Sequence, residues 1–139
     1  MHEVLTRASA EESAADRHRM MRETARAFAD REIRPLAEEL DASERFPGEL
    51  YDKVAALGMF GVTVPEGLGG AGADAVSYAL VMEELSRGYA SVADQCGLVE
   101  LVATLLAEHG TPEQQERYLR PLLRAKRRDG RGDVPRRRV

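Results

Sequence analysis

The chain of 139 residues has no tryptophan, a single cysteine and only 5% aromatic residues. So few rings exclude a core built on stacked aromatics, and aliphatic packing must carry the fold. One cysteine, Cys96, excludes an intrachain disulfide and fits a reducing compartment. No base or metal-ligating residue lies beside it, so it reads as a small buried hydrophobe, not a nucleophile. The three histidines are scattered, and His18 has no neighbours that would make it a metal ligand. No metal site is expected. No apolar run of about 18 residues stands out, so no membrane span is expected. The polar, acidic N-terminus has no apolar core of a secretory signal, and a cytoplasmic location is the expectation.

What the chain has in quantity is Ala, Leu, Glu and Arg, all good helix formers. The expectation is an all-α fold of five to six helices in one domain. Charge is distributed unevenly. From Arg124 onward eight Arg or Lys face two Asp, a net of +6, which leaves −10 on the preceding residues against the overall −4. Such a run can serve a nucleic-acid or membrane arm. No aromatic residues interleave with the arginines, so a base-stacking nucleic-acid site is not expected.

Residues 1–10 show no periodicity and are read as a disordered N-terminus. The helical domain is placed at residues 11–123, starting with Met21, Ala25 and Phe28 at helical spacing. Ile33, Leu36, Ala37 and Leu40 continue at a shifted phase, and Pro35 should kink or divide the element near Arg34. Leu50, Val54 and Leu57 form a short stripe after Pro47, closed by Gly58 as a left-handed cap. Asp74 is the expected N-cap of the next helix, which Val76, Ala79, Leu80, Val81, Met82 and Leu85 make apolar on most sides. Of the adjacent Glu83 and Glu84, one should face water and the other pair with an arginine such as Arg87. Ser91 and Asp94 resemble a capping box for a helix at residues 92–109, apolar all round and therefore expected at the centre. Thr111, Pro112 and Gln114 mark another helix start, and Pro121 should bend or end that helix.

The passage between the second and third of these helices holds the densest glycines. Gly67, Gly69 and Gly72 spell a literal G-x-G-x-x-G, but Pro65 stops the short Val62-Thr63-Val64 run and no second strand follows. The βαβ unit of a dinucleotide site is missing, and a glycine-rich hinge is the simpler reading.

Taken in order, Phe46-Pro47-x-x-Leu50, Leu57-Gly58, Val64-Pro65-Glu66, Leu68-Gly69-Gly70 and Glu83-Glu84-Leu85-Ser86-Arg87 resemble the N-terminal helical domain of the acyl-CoA dehydrogenases. Gly110-Thr111-x-Glu113-Gln114-Gln115-x-x-Tyr118-Leu119-x-Pro121 continues the resemblance, which covers residues 17–123. It implies an FAD-dependent oxidation of acyl-CoA thioesters. It also implies that flavin and catalytic glutamate come from domains beyond this one, so no catalytic residue is assigned. The helix at residues 92–109 is then one wall of the acyl pocket, with Ala93, Asp94, Gly97 and Leu101 as its substrate-facing residues. Small Ala93 and Gly97 would leave room for a wide or branched acyl group, with Asp94 at the pocket edge or acting as a cap.

Residues 124–139 break the pattern. They do not match the G-E-x-x-x-x-x-A-x-T-E-P-x-x-G-S-D segment through which the family enters its flavin-binding β-domain. The expectation is an Arg-rich disordered tail, read as a frameshift product that truncates an ordinary dehydrogenase, so that the chain alone is inactive. The other reading is a helical interaction module that joins a separately encoded flavoprotein remainder, through the missing domains or other subunits.

Overall fold

A computed structural model describes residues 2–125, with side chains from residue 13 onward. Every regular element among the described residues is helical. In chain order these are α1 (His2–Phe28), α2 (Ala37–Ser43), α3 (Gly48–Ala56), α4 (Ala75–Gly88), α5 (Ala90–His109), α6 (Pro112–Gln114) and α7 (Arg120–Leu123). Short wide or tight turns join some of them end to end, leaving five rods at residues 2–43, 48–56, 75–88, 90–109 and 112–123. The fold is all-α, as the composition and periodicity lead one to expect. The first rod begins at His2, ahead of the Glu11 start that the apolar spacing implied. The basic tail lies, from Lys126, outside the described residues.

Pro35 and Pro121 alter the winding of their rods in the same manner. A π-type turn, Ala29–Ile33, precedes the first, and Arg34 donates its N–H to the Ala29 carbonyl. A second, Gln115–Leu119, precedes the other, and Arg120 donates to Gln115. Proline has no N–H to continue the regular ladder, so each rod widens by one residue just before it. The expected division near Arg34 is therefore a change of winding inside one continuous rod.

The core is aliphatic. Ala25, Ile33, Leu50, Val54, Leu85, Ala103 and Leu119 are wholly buried. They join α1, α3, α4, α5 and the last rod in one cluster, with Tyr51 and Phe60 among its few rings. Helix α3 ends as its sequence dictates. Gly58 sits at φ +71°, and its N–H and that of Met59 reach back to the Ala55 and Val54 carbonyls at 3.0 and 3.1 Å. That is the paired C-terminal closure a left-handed glycine makes possible. Asp74 caps α4 by accepting from Ser77 N–H at 2.8 Å, and also accepts from His18 Nε2 at 2.8 Å. His18 is thus half-buried and tied to a cap.

Helix α5 departs from its expected character. It has the length and composition of a membrane-crossing segment, with mean hydropathy 1.4 over its most apolar 18 residues. This corrects the reading that no such run is present. Nor is it covered on all sides: Leu98, Leu101, Val102 and Leu105 lie 46–57% exposed. The anticipated Ser91–Asp94 capping box does not form. The helix starts at Ala90 behind Tyr89, with no side-chain cap, and Asp94 lies in its second turn.

Candidate functional site

The passage at residues 58–73 is not a strand and not an open phosphate cradle. It folds back on itself: Ala71 N–H donates to the Gly61 carbonyl at 3.0 Å, Gly72 to Val64 at 2.9 Å and Ala73 to Val62 at 2.9 Å. Gly70 is wedged so tightly that a Cβ there would stand 2.1 Å from the Val64 carbonyl oxygen. The N–H groups from Leu68 to Ala73, two glycines of the apparent fingerprint among them, are thus spent on carbonyls of the same loop.

What seats this loop is Glu100, in the middle of the most apolar helix. The residue is buried, at 6% exposure. It accepts from the amides of Val62 and Thr63, both at 2.8 Å, and from the Thr63 hydroxyl at 2.7 Å. A charge this deep is tolerable because three donors converge on it. Glu100 thereby locks the glycine loop onto α5. It is absent from the candidate residues named above, yet it was within reach. It falls between Cys96 and Ala103 at helical spacing, on the face that is buried.

The second buried carboxylate belongs to the Glu83–Glu84 pair. Glu84 has no exposed surface and accepts from Arg22 Nε at 2.9 Å, Arg26 Nη2 at 2.7 Å and Arg87 Nη1 at 2.6 Å. The Arg26 hydrogen bonds, with those of Arg22 and Arg87, outweigh burial and hold its carboxyl down at about 2. Glu83 lies at the surface, 3.6 Å from Arg22. One glutamate outward and one paired with Arg87 is the arrangement expected. It is a structural clamp between α1 and α4, with no oxygen left for chemistry.

The four residues named as substrate-facing divide in two. Ala93 is buried at 2% exposure, and Leu101 is 57% exposed. Asp94 is likewise exposed. Gly97 faces α4, where an added Cβ would meet Met82 at 3.3 Å and the Tyr78 hydroxyl at 3.4 Å. The space beside Gly97 is thus occupied by α4 side chains. Asp94, Leu98, Leu101 and Leu105 recur at spacings of four, three and four, and so line one flank of α5. This flank is apolar except at its N-terminal end.

At that end lies a cleft of about 530 Å³. Phe46, 58% exposed, stacks on buried Tyr51 with ring centroids 4.9 Å apart. Tyr89 donates to Asp41 at 3.1 Å. Arg45 is engaged by Glu39 and Glu49, so the free charge in the cleft is negative. Among the described residues no cluster of three metal-ligating side chains occurs.

The profile of the acyl-CoA dehydrogenase N-terminal domain matches residues 15–126. The chain belongs to the acyl-CoA dehydrogenase family. It is 40% identical over 114 residues to a 3-(aryl)acrylate reductase of Clostridium sporogenes, covering 81% of this chain and 30% of that one. To the short-chain specific acyl-CoA dehydrogenase of Clostridium acetobutylicum it is 39% identical over 113 residues, covering 78% and 29%. Butyryl-CoA dehydrogenase from Megasphaera elsdenii superposes with a TM-score of 0.73 at 31% identity, covering 80% of this chain and 30% of that one. An acyl-CoA dehydrogenase from Bacillus anthracis, solved with FAD, superposes at 0.69 with 32% identity, covering 78% and 19%. This dehydrogenase domain thus spans under a third of the length of these relatives.

The cytoplasmic expectation does not hold against these relatives. The bovine and human short-chain specific acyl-CoA dehydrogenases, each 38% identical over 109 residues, are mitochondrial. A polar N-terminus does not by itself separate the two compartments. Organelle import uses amphipathic, Arg-rich segments that need no apolar h-region, so lacking one does not separate the two compartments.

Proposed function

We propose that this chain forms one wall of the acyl site in an FAD-dependent acyl-CoA dehydrogenase, which oxidises the α,β-carbons of an acyl-CoA thioester. The observation that carries the proposal is the uncovered flank of α5 within a domain of this family. Leu98, Leu101 and Leu105 offer a continuous apolar strip, and Asp94 closes one end of it. An acyl chain laid along that strip would be shielded from water on this side. Asp94 and Leu101 would touch it directly, while Gly97 sets how closely α4 approaches behind them and Ala93 is buried.

Flavin supplies the acceptor for the β-hydride when bound. The described residues do not fit the cofactor. Its pyrophosphate requires cations or a nest of free amides, whereas the cleft beside α5 presents Asp41, Glu44 and Asp94 with Arg45 already engaged. Glu100, the buried carboxylate of α5, is spent on Val62 and Thr63 and is not free to act as a base. Flavin binding and proton abstraction therefore belong to other parts of the enzyme. The role left for this chain is to position the acyl group and exclude water.

Absorbance of the purified chain mixed with FAD, followed by addition of a thioester and an electron acceptor, tests the reading. Neither stoichiometric flavin nor turnover is expected. One equivalent of bound flavin, or turnover by the chain alone, overturns it.

The exposed leucines favour a second reading, a helical module that docks on a separately encoded flavoprotein remainder. Co-purification of such a partner, abolished by Leu101→Glu with Leu105→Glu, would support it.

A further inference from the structure

The exposed side of α5 reads the same from either end. From Asp94 to His109 its exposed residues fall in pairs equidistant from the point between Leu101 and Val102. Leu101 mirrors Val102, Leu98 mirrors Leu105 and, at the two ends, Asp94 mirrors His109. Gln95 and Glu108 repeat the relation at the rim. At about 100° per residue the whole set falls within an arc of about 140°. Glu100 and Ala103, also equidistant from that point, are both buried on the opposite side.

A stripe with this symmetry is complementary to itself. A two-fold axis crossing the helix at its midpoint lays α5 antiparallel on the same helix of a second copy, an isologous contact. Leu98 then lies across from the partner's Leu105, with Leu101 of both copies at the centre. These apolar residues are 46–57% exposed in the single chain, and pairing withdraws them from water. Asp94 comes level with the partner's His109, about 22 Å along the axis from its own. His109 Nε2 already lies 3.6 Å from Glu108, so carboxylate and imidazole meet at both ends of the seam. A parallel pair would instead set Asp94 against Asp94 and Glu108 against Glu108, which like charge disfavours.

We infer that two copies of this chain pair antiparallel along α5, with leucines at the centre and Asp94 and His109 at the ends. The inference goes beyond the acyl-wall reading and does not depend on it. Pairing hides Leu98, Leu101 and Leu105, so the paired form is closed both to an acyl group and to a docking flavoprotein. A single helix pair belongs with the small, reversible interfaces, below roughly 1,200 Å² in total.

Sedimentation equilibrium of the intact 139-residue chain, over at least two decades of concentration, tests the pairing. The mass should rise with concentration from one chain to two and no further. Leu101→Glu sets two carboxylates together at the two-fold axis and should weaken association roughly thirtyfold or more. Direction is read from Leu98→Cys and Leu105→Cys under mild oxidation, with Cys96 buried and out of reach. A mixture of the two variants should cross-link at least tenfold faster than either alone. All three positions are exposed, so the variants fold, and circular dichroism verifies it. A single-chain mass up to millimolar concentration overturns the inference, and so does a dimer indifferent to Leu101→Glu. Faster cross-linking of Leu98→Cys with itself overturns the antiparallel arrangement. A chain that stays single yet is taken up by a separately encoded flavoprotein overturns the pairing in favour of the docking reading.

Discussion

Glu100 takes both the amide and the hydroxyl of Thr63, at 2.8 and 2.7 Å, across 37 residues of sequence. With the Val62 amide it forms a three-donor seat for the glycine loop, inside the most apolar helix of the chain. Removing the carboxylate strands two buried amides, each costing about 1–3 kcal/mol. Glu100→Ala should therefore lower stability by about 3 kcal/mol or more, and Thr63→Val by about 1 kcal/mol. Urea unfolding of both variants and the double mutant checks this. A coupling energy near zero would mean the contact does not hold the loop.

Glu84 and Asp74 both have carboxyls held down to about 2, Glu84 chiefly by Arg26, Asp74 chiefly by the Ser77 amide and then His18. Unfolded carboxylates titrate at about 3.9–4.3. A depressed folded value gives stability that is fully present above the unfolded value and is lost as pH falls through the folded one. The urea midpoint should thus hold steady through this origin down to about pH 5 and decline between about pH 4.5 and 2. Glu84→Gln should flatten part of that decline while lowering the neutral-pH plateau.

Two glycines of the same loop should respond in opposite ways to alanine. At Gly70 the new Cβ would meet the Val64 carbonyl oxygen at 2.1 Å and the Gly61 carbonyl oxygen at 2.7 Å, both backbone atoms that cannot step aside cheaply. Gly67 has nothing within 4 Å. Gly70→Ala should cost about 2 kcal/mol or more by overpacking. Gly67→Ala should be neutral or gain up to about 1 kcal/mol through the unfolded chain. Thermal melts followed by circular dichroism separate the two.

Burial pushes the Cys96 thiol up to about 12. The thiolate is the reactive form, so the folded protein should resist thiol reagents at pH 8. Labelling should rise to one equivalent only when urea unfolds the chain. Rapid labelling under native conditions would show that α5 opens readily.

Much of this architecture was legible because its signals are local. Gly58, Asp74 and the Thr111–Gln114 box act within a few residues of where they stand, and each does what its type and position dictate. Glu100 was missed because its partners lie 37 and 38 residues away. Only its place on the buried face of α5 hinted at them. The substrate-facing set was read from helical spacing, which fixes a direction but not what stands there. Met82 and Tyr78 fill the space beside Gly97, and neither could be placed from the sequence alone. The exposure of α5 was illegible for a related reason. Composition says that a helix is apolar, whereas its neighbours decide which of its sides are covered.

The paired wide turns before Pro35 and Pro121 bear on how length changes would be tolerated. Each five-residue loop of hydrogen bonding inserts one extra position, so the side chains beyond it are rotated by about 100° relative to uninterrupted winding. Leu40, beyond this wide turn and the tight Arg34–Leu36 segment that follows it, is 2% exposed. Excising one residue from Ala29–Ile33 would turn every side chain beyond it by about that angle, buried Leu40 among them. In this rod the irregular coil is the one that fits.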